Sequence, residues 1–320
     1  MRYANALLLV AFCVPAFAQS PWTVTEIPGL RVTAEDRILF LNDRVGWILA
    51  DSHTILKTTD GGRSWVVENT NPTRPGTAMW SLSFADEKHG WAAGSTDFGQ
   101  PTVWETTNGG SSWMVEESWP LGNVSGDLYD IQFVDAKHGW AVGFNGRGAV
   151  IVATTNGGHR WITQYNGAEI THLFRNVRCE DALNCFALGL DGVMVTEDGG
   201  ESWHLVYFGG APFRDIDVFG STDAWVALGS GHLAHATLGG RLWNDVPVQA
   251  KGFPSHVRFV SNSAGWAITD KNEILMTRDG GKTWVPETIP VGLTPIAMTS
   301  TTSTLFVIAN PGHLLTRPIK

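Results

Sequence analysis

Residues 106–113 read TTNGGSSW, and near-copies recur along the chain. Aligned on their Trp, they are TTDGGRSW ending at Trp65, TTNGGSSW at Trp113, TTNGGHRW at Trp161, TEDGGESW at Trp203, ATLGGRLW at Trp243 and TRDGGKTW at Trp284. Successive spacings are 48, 48, 42, 40 and 41 residues. A period of 40–50 residues, with short apolar runs between, indicates four-stranded propeller blades. The string has a local mechanism. A Thr ends one strand, and the side-chain oxygen of Asp60, Asn108, Asn156, Asp198 or Asp279 bonds backbone N–H groups in the turn. The two glycines supply φ > 0, where other residues would be strained. The Trp opens the next strand as a large apolar wedge between sheets. The fifth copy has Ala236 and Leu238 where the others have Thr and Asp or Asn, which predicts a weaker turn.

Each unit reads as strands A to D. In the third, YDIQFVD is A, HGWAVG is B, AVIVATT is C and RWITQYN is D. A second aromatic series marks strand B: Trp47, Trp91, Trp140, Phe186, Trp225 and Trp266. Each lies nine residues after an apolar strand-A position: Ile38, Leu82, Ile131, Val177, Ile216 and Val257. Continuing that frame pairs Ile296 with Leu305 and matches LLTR at 314–317 to LMTR at 275–278, which begins a seventh blade without a strand D. PWTVTE at 21–26 resembles the strands that follow the boxes, so it supplies the missing one. The expectation is all-β: a seven-bladed propeller over residues 19–320, its last blade closed by the N-terminal strand. Such closure leaves only short, protected sheet edges.

Residues 1–18 read as a secretory signal peptide: Arg2, an apolar run, then Ala16 and Ala18 spaced A-x-A. The protein is therefore expected to be exported, periplasmic or secreted. No later stretch offers about 18 uninterrupted apolar residues, so no transmembrane segment is expected. Signal removal takes one cation and no acid, moving the formal charge from −9 to −10. An acidic surface disfavours phosphate backbones, which excludes nucleic acid as an expected partner. Of three Cys, Cys13 leaves with the signal. Cys179 and Cys185, six apart, favour a disulfide in an oxidising compartment; the other reading is a pair of inert thiols. Neither this spacing nor the histidines in KHGW, at His89 and His138 in A–B turns, fit a metal site. No metal and no cofactor are expected. His232 and His235 are three apart on a strand and so on opposite faces.

The A–B and C–D turns keep constant lengths, whereas the D–A and B–C connections vary most into and within blades 2 and 3. Long loops on a rigid scaffold are where recognition usually resides. The same face receives the first residues of each strand A: Asp36-Arg37, Trp80-Ser81, Tyr129-Asp130, Arg175-Asn176, Arg214-Asp215, Ser255-His256 and Thr294-Pro295. A ring of mixed chemistry around a channel mouth is a candidate binding site. Its expected partner-binding residues are Arg37, Trp80, Tyr129, Asp130, Arg175, Arg214, Asp215 and His256. Trp119 joins them, since it and Trp80 have no place in the strand-B or strand-D series.

The pattern T-x-[DN]-G-G-x-x-W is the Asp-box or BNR repeat. Together with the GWAVG strand B it resembles the photosystem II stability and assembly factor family and its bacterial BNR-repeat relatives, over essentially the whole chain after the signal. The resemblance implies an exported, non-catalytic seven-bladed scaffold that binds another protein or protein complex. Sialidases and other glycosidases also carry Asp boxes, so a sialidase-like hydrolase or a glycan-binding propeller is the second reading. A sialidase needs an arginine cluster, a Tyr–Glu nucleophile pair and an acid. Arg37, Arg175, Arg214, Asp130, Asp215 and Tyr129 imitate part of this, but no F-R-I-P-like stretch opens the first blade, and Glu is absent from the mouth positions.

Overall fold

The computed structural model describes residues 21–33, 36–69, 77–115, 124–167, 172–208, 212–220, 223–237 and 239–319. Residues 1–18, expected to be a signal peptide, and Trp119 lie outside them. Seven sheets of four antiparallel strands form a seven-bladed β-propeller. Blade 3 is typical: strands Asp127–Phe133, Gly139–Phe144, Ala149–Thr154 and Ile162–Asn166 hydrogen-bond in sequence order. Among the described residues no helix is long and apolar enough to cross a membrane.

The boxes close the C–D turns as their chemistry dictates. Thr58 Oγ1 donates to Asp60 Oδ1 at 2.8 Å and accepts from Gly62 N at 2.9 Å, while Asp60 Oδ1 accepts from Ser64 N at 2.9 Å. The same ring of bonds recurs around Asn108, Asn156, Asp198 and Asp279. Gly61 and Gly62 have φ of 76° and 82°. A Cβ on Gly62 would sit 2.1 Å from Leu314 of the neighbouring blade, so this glycine is required twice over. The fifth turn differs: Thr237 pairs directly with Leu242 in a continuous ladder, without the Thr and Asp bonds.

Between blades, the wedge is an aromatic triplet. The strand-B ring of one blade stacks on a strand-A Phe of the next: Trp47 on Phe84 at 3.8 Å, Trp91 on Phe133 at 3.5 Å, Trp225 on Phe259 at 4.3 Å. The box Trp meets that Phe edge-on, as Trp113 meets Phe84 at 79°. The edge-on contacts suit the ring quadrupoles, and the stacked pairs bury both ring faces between blades. The Phe lies over a strand-B glycine; a Cβ on Gly90 would be 2.5 Å from Phe84. In blade 4 the Phe/Gly pair is replaced in register by Cys179 and Cys185, which are disulfide-bonded and packed against Trp140.

Blade 7 closes across the chain ends. Thr23–Glu26 pairs antiparallel with His313–Pro318, and Trp22 is buried beside Trp266, Met298 and Leu315. No box exists here. Arg317 takes its place: its guanidinium lies 5.7 Å from the Trp22 ring and 5.8 Å from that of Trp266, and it pairs with Glu287 of blade 6. The nine-residue frame slips in this blade. The aromatic that stacks on blade 1 is Phe306, on Phe40 at 3.6 Å, not Leu305. Its strand-A counterpart is Met298, not Ile296, because the A–B turn is one residue shorter than elsewhere.

Candidate functional site at the channel mouth

One irregularity recurs on strand A. Its register against strand B slips by one residue at Trp80, Tyr129, Arg175, Arg214, Ser255 and Ile296. A β-bulge leaves its extra residue unpaired and re-aims the side chain. Trp80, Tyr129, Arg175 and Arg214 thereby line a cavity of about 520 Å³ that opens on the propeller axis. In blade 7 the position belongs to Ile296-Ala297, so Thr294-Pro295 is corrected: those residues lie above the bulge.

Below the bulges sits a charged layer that satisfies itself across blades. Asp130, 4% exposed, accepts from Arg178 Nη1 at 2.5 Å, Val177 N at 3.0 Å and Ser81 Oγ at 2.6 Å. Asp215, equally buried, accepts from Arg258 Nη1 at 3.1 Å and Val257 N at 3.2 Å. Asp217 accepts from Phe259 N at 2.6 Å and lies 3.7 Å from Arg258. Each carboxylate thus ties its own blade to the next. Arg37 reaches in from blade 1 to the field of Asp130 and Asp215, and burial pulls its basicity down while those two carboxylates oppose the shift.

The protonation states follow. Burial works against the charge of both Arg178 and Asp215, but ionic neighbours win: Asp130 and then Asp215 push Arg178 up, and Arg258 holds Asp215 down. Burial raises Asp217 to about 6 despite Arg258. Burial also drops His256 to about 4, with Asp215 opposing and Arg258, Arg37 and Arg178 reinforcing, so His256 is neutral at pH 7. Arg37, Arg178 and Arg258 therefore face Asp130, Asp215 and Asp217: three cations against three carboxylates in a largely buried layer, where opposite charges must match.

The bulge layer is different. Trp80 Nε1 donates to Asp127 Oδ1 at 3.2 Å, and the Trp80 and Tyr129 rings lie 6.4 Å apart. Burial raises the Tyr129 phenol, as does Asp127, to which it is hydrogen-bonded, while nearby Arg175 opposes. Arg175 and Arg214 are exposed, and among the described residues neither has a carboxylate within ion-pair distance. Two adjacent cations above a neutral layer make a local positive field on an acidic protein.

Of the residues expected from sequence, Trp80, Tyr129, Arg175 and Arg214 thus occupy the mouth. Arg37, Asp130, Asp215 and His256 line the same cavity one layer deeper, and both carboxylates are engaged there by arginines and backbone. The Asp-box residues close the C–D turns, and the KHGW histidines cap A–B turns, His89 Nδ1 lying 2.7 Å from Asp86 Oδ2. Sequence reasoning missed Arg178, Arg258 and Asp127. The first two stand three residues beyond the bulges at Arg175 and Ser255, a spacing that a search for charges facing the channel would have reached. Among the described residues no group of His, Cys, Asp and Glu is placed to hold a metal.

Comparison with known proteins bears on both fold and site. Residues 14–115 match the family model of the photosynthesis system II assembly factor YCF48. The chain resembles the photosystem II assembly factor family. Over 82 residues it is 32% identical to the photosystem II assembly protein Ycf48 of Synechococcus sp. (strain JA-3-3Ab), covering 26% of this chain. The match spans about a quarter (25%) of that relative's length. Among solved structures, a YCF48 bound to a D1 peptide superposes with a TM-score of 0.75 at 19% identity, over 96% of this chain and 99% of that one. YCF48 from Cyanidioschyzon merolae gives 0.71 at 18% identity, over 92% and 98%. A catalytically inactive virginiamycin B lyase from Staphylococcus aureus gives 0.73 at 12% identity, over 93% and 100%. At these identities the likeness establishes the propeller, which scaffolds and enzymes share.

Proposed function

We propose that this chain is an exported, non-catalytic propeller that binds a segment of another protein at the channel mouth, in the manner of a photosystem II assembly factor. The observation that carries the reading is the contrast between layers. Arg37, Arg178 and Arg258 are matched by carboxylates, whereas Arg175 and Arg214 stand exposed beside Trp80 and Tyr129. Surface arginines and aromatics are the residue types that dominate protein recognition. The matched layer beneath leaves the exposed mouth residues as those whose charge is free to meet a partner.

The glycosidase reading has less support. Ordinary glycoside hydrolysis needs two carboxyl groups facing the substrate. Asp130 and Asp215 are each locked to an arginine and a backbone N–H, and among the described residues no Glu lines the cavity. Fluorescence titration with a D1 peptide, of the kind held in the YCF48 complex, tests the proposal. Binding should weaken more than tenfold in the Arg175→Ala/Arg214→Ala variant. Binding indifferent to both arginines would overturn the site. Turnover of a fluorogenic sialoside that disappears in Asp130→Asn would overturn the non-catalytic reading.

A further inference from the structure

Phe98 is 74% exposed, an unusual surface for a Phe, and it does not sit on a loose loop. Its turn joins strands B and C of blade 2 and is tightly bonded: Thr96 N donates to Gln100 O at 2.9 Å, Gly99 N to Thr96 O at 2.9 Å, and Phe98 N to Thr96 Oγ1 at 3.3 Å. Gly99 takes φ of 65° to complete it. The turn is also anchored to blade 3, where Gly126 N donates to Gly99 O at 2.8 Å. Gly126 immediately precedes Asp127, which holds Trp80 through its indole N–H and Tyr129 through its phenol. The 2–3 sector of the mouth face thus carries three aromatic rings on backbone that is hydrogen-bonded together, and the next two bulges around the ring are Arg175 and Arg214.

From this juxtaposition we propose that the blade 2–3 sector is an apolar subsite, and that the partner is an acidic protein segment carrying a large apolar or aromatic side chain beside its carboxylates. The inference rests on the mouth being a protein-binding site and specifies the chemistry of what binds there. Rigid aromatics lose little conformational entropy on binding, and their indole and phenol groups are already satisfied by Asp127, so they offer ring faces rather than new hydrogen bonds. Charge sets the orientation: carboxylates go to blades 4 and 5, and the apolar side chain goes to blades 2 and 3, where Asp127 would repel an acid.

The test uses fluorescein-labelled synthetic peptides: one with a Trp flanked by Glu residues, one with that Trp replaced by Ala, and one with each Glu replaced by Gln. Wild-type protein should bind the first about tenfold more tightly than either of the others, the worth of one covered aromatic contact or of two exposed ion pairs, one at each arginine. Phe98→Ala should weaken the Trp peptide several-fold and leave the Ala peptide unchanged, with the melting temperature unmoved. Equal binding of the Trp and Ala peptides, or an equal loss for both in Phe98→Ala, would overturn the subsite while the arginine mouth stood. Failure of all three peptides to bind, or binding insensitive to Arg175→Ala, would take down the mouth reading and this one together. Sedimentation velocity supplies the remaining outcome: self-association abolished by Phe98→Ala would assign the patch to a second copy of this chain and overturn the proposal.

Discussion

Replacing Trp22 by Ala is the sharpest test of how the ring is closed. Trp22 is 6% exposed and packs with Trp266, Ile268, Met298, Leu305 and Leu315, with the Arg317 guanidinium against its face. Truncating a buried Trp to Ala costs about 3–5 kcal/mol in transfer and cavity terms. Arg317 adds to this, because it loses one of the two rings that cover its charge. With an unfolding entropy of roughly 2.1 cal/mol/K per residue over some 300 residues, the melting temperature should fall by about 5–8 °C. Deleting residues through Pro28 should do more: it strips the four-residue ladder from His313–Thr316 and the bond from Ile27 N to Gly312 O at 2.7 Å. It also leaves a bare edge on blade 7, which favours aggregation. The assay is differential scanning calorimetry of wild type, Trp22→Ala and the deletion, with light scattering on each. If Trp22→Ala melts within 1 °C of wild type, or the deletion melts like the intact chain, the N-terminal strand does not close the ring.

The remaining predictions concern the turns, the disulfide and the mouth. Asp60→Ala should cost about 1 kcal/mol, as loss of a side-chain cap does, and leave peptide binding unchanged; calorimetry and titration of the same variant check both halves. Hydrogen bonds, chiefly from Ser64 Oγ to Asp60 and from Thr283 Oγ1 to Asp279, hold both carboxyls at about 2. A depressed folded value contributes stability that is complete above the unfolded value of about 3.9 and is lost as pH falls through 2, so these two groups should make the melting temperature drop between pH 4 and pH 2. Reducing Cys179–Cys185 should cost roughly 2–2.5 kcal/mol for so short a loop, whereas Cys179→Phe/Cys185→Gly, which restores the Phe/Gly pair of blades 1, 2, 3 and 6, should melt independently of reductant. Arg175→Ala and Arg214→Ala should change the melting temperature by less than 1 °C, since both side chains are exposed.

Much of this architecture was legible because its determinants are local. The box needs Thr, Asp or Asn, two glycines and Trp within eight residues, and the strand-B aromatic sits at a fixed distance from its strand A. Where those markers run out, the frame slipped. Blade 7 has no box, and its shorter A–B turn moved the alignment from Met298 and Phe306 to Ile296 and Leu305. The mouth was legible as a position but not as an electrostatic design. Asp130 finds Arg178 across 48 residues, and Asp215 finds Arg258 across 43. No spacing within one repeat announces a pairing between repeats. Asp130, Asp215 and His256 therefore looked like surface recognition residues, and only packing reveals that they belong to the layer holding adjacent blades together.

The bulge would let the binding proposed at the mouth vary without cost to the fold. The marker positions of the repeat each have a duty that constrains their chemistry: Thr and Asp in the turn, Gly beneath the Phe, Phe between two tryptophans, Asp or Ser bonding the next blade. The bulge residue has no strand-B partner in the backbone register, and at Trp80, Tyr129, Arg175 and Arg214 its side chain turns to the cavity. Its occupants accordingly vary: two aromatics, two arginines, a serine and an isoleucine, at Trp80, Tyr129, Arg175, Arg214, Ser255 and Ile296. In a chain that otherwise repeats itself closely, the position where repetition fails in every blade from the second onward is the one the fold leaves unspecified. Placed on strand A, closest to the axis, that position converges from successive blades on one opening, where neighbouring blades supply aromatics, then cations. A partner bound at this ring, as proposed above, would meet an ordered sequence of side chains on strands, and its specificity would follow the order of the blades.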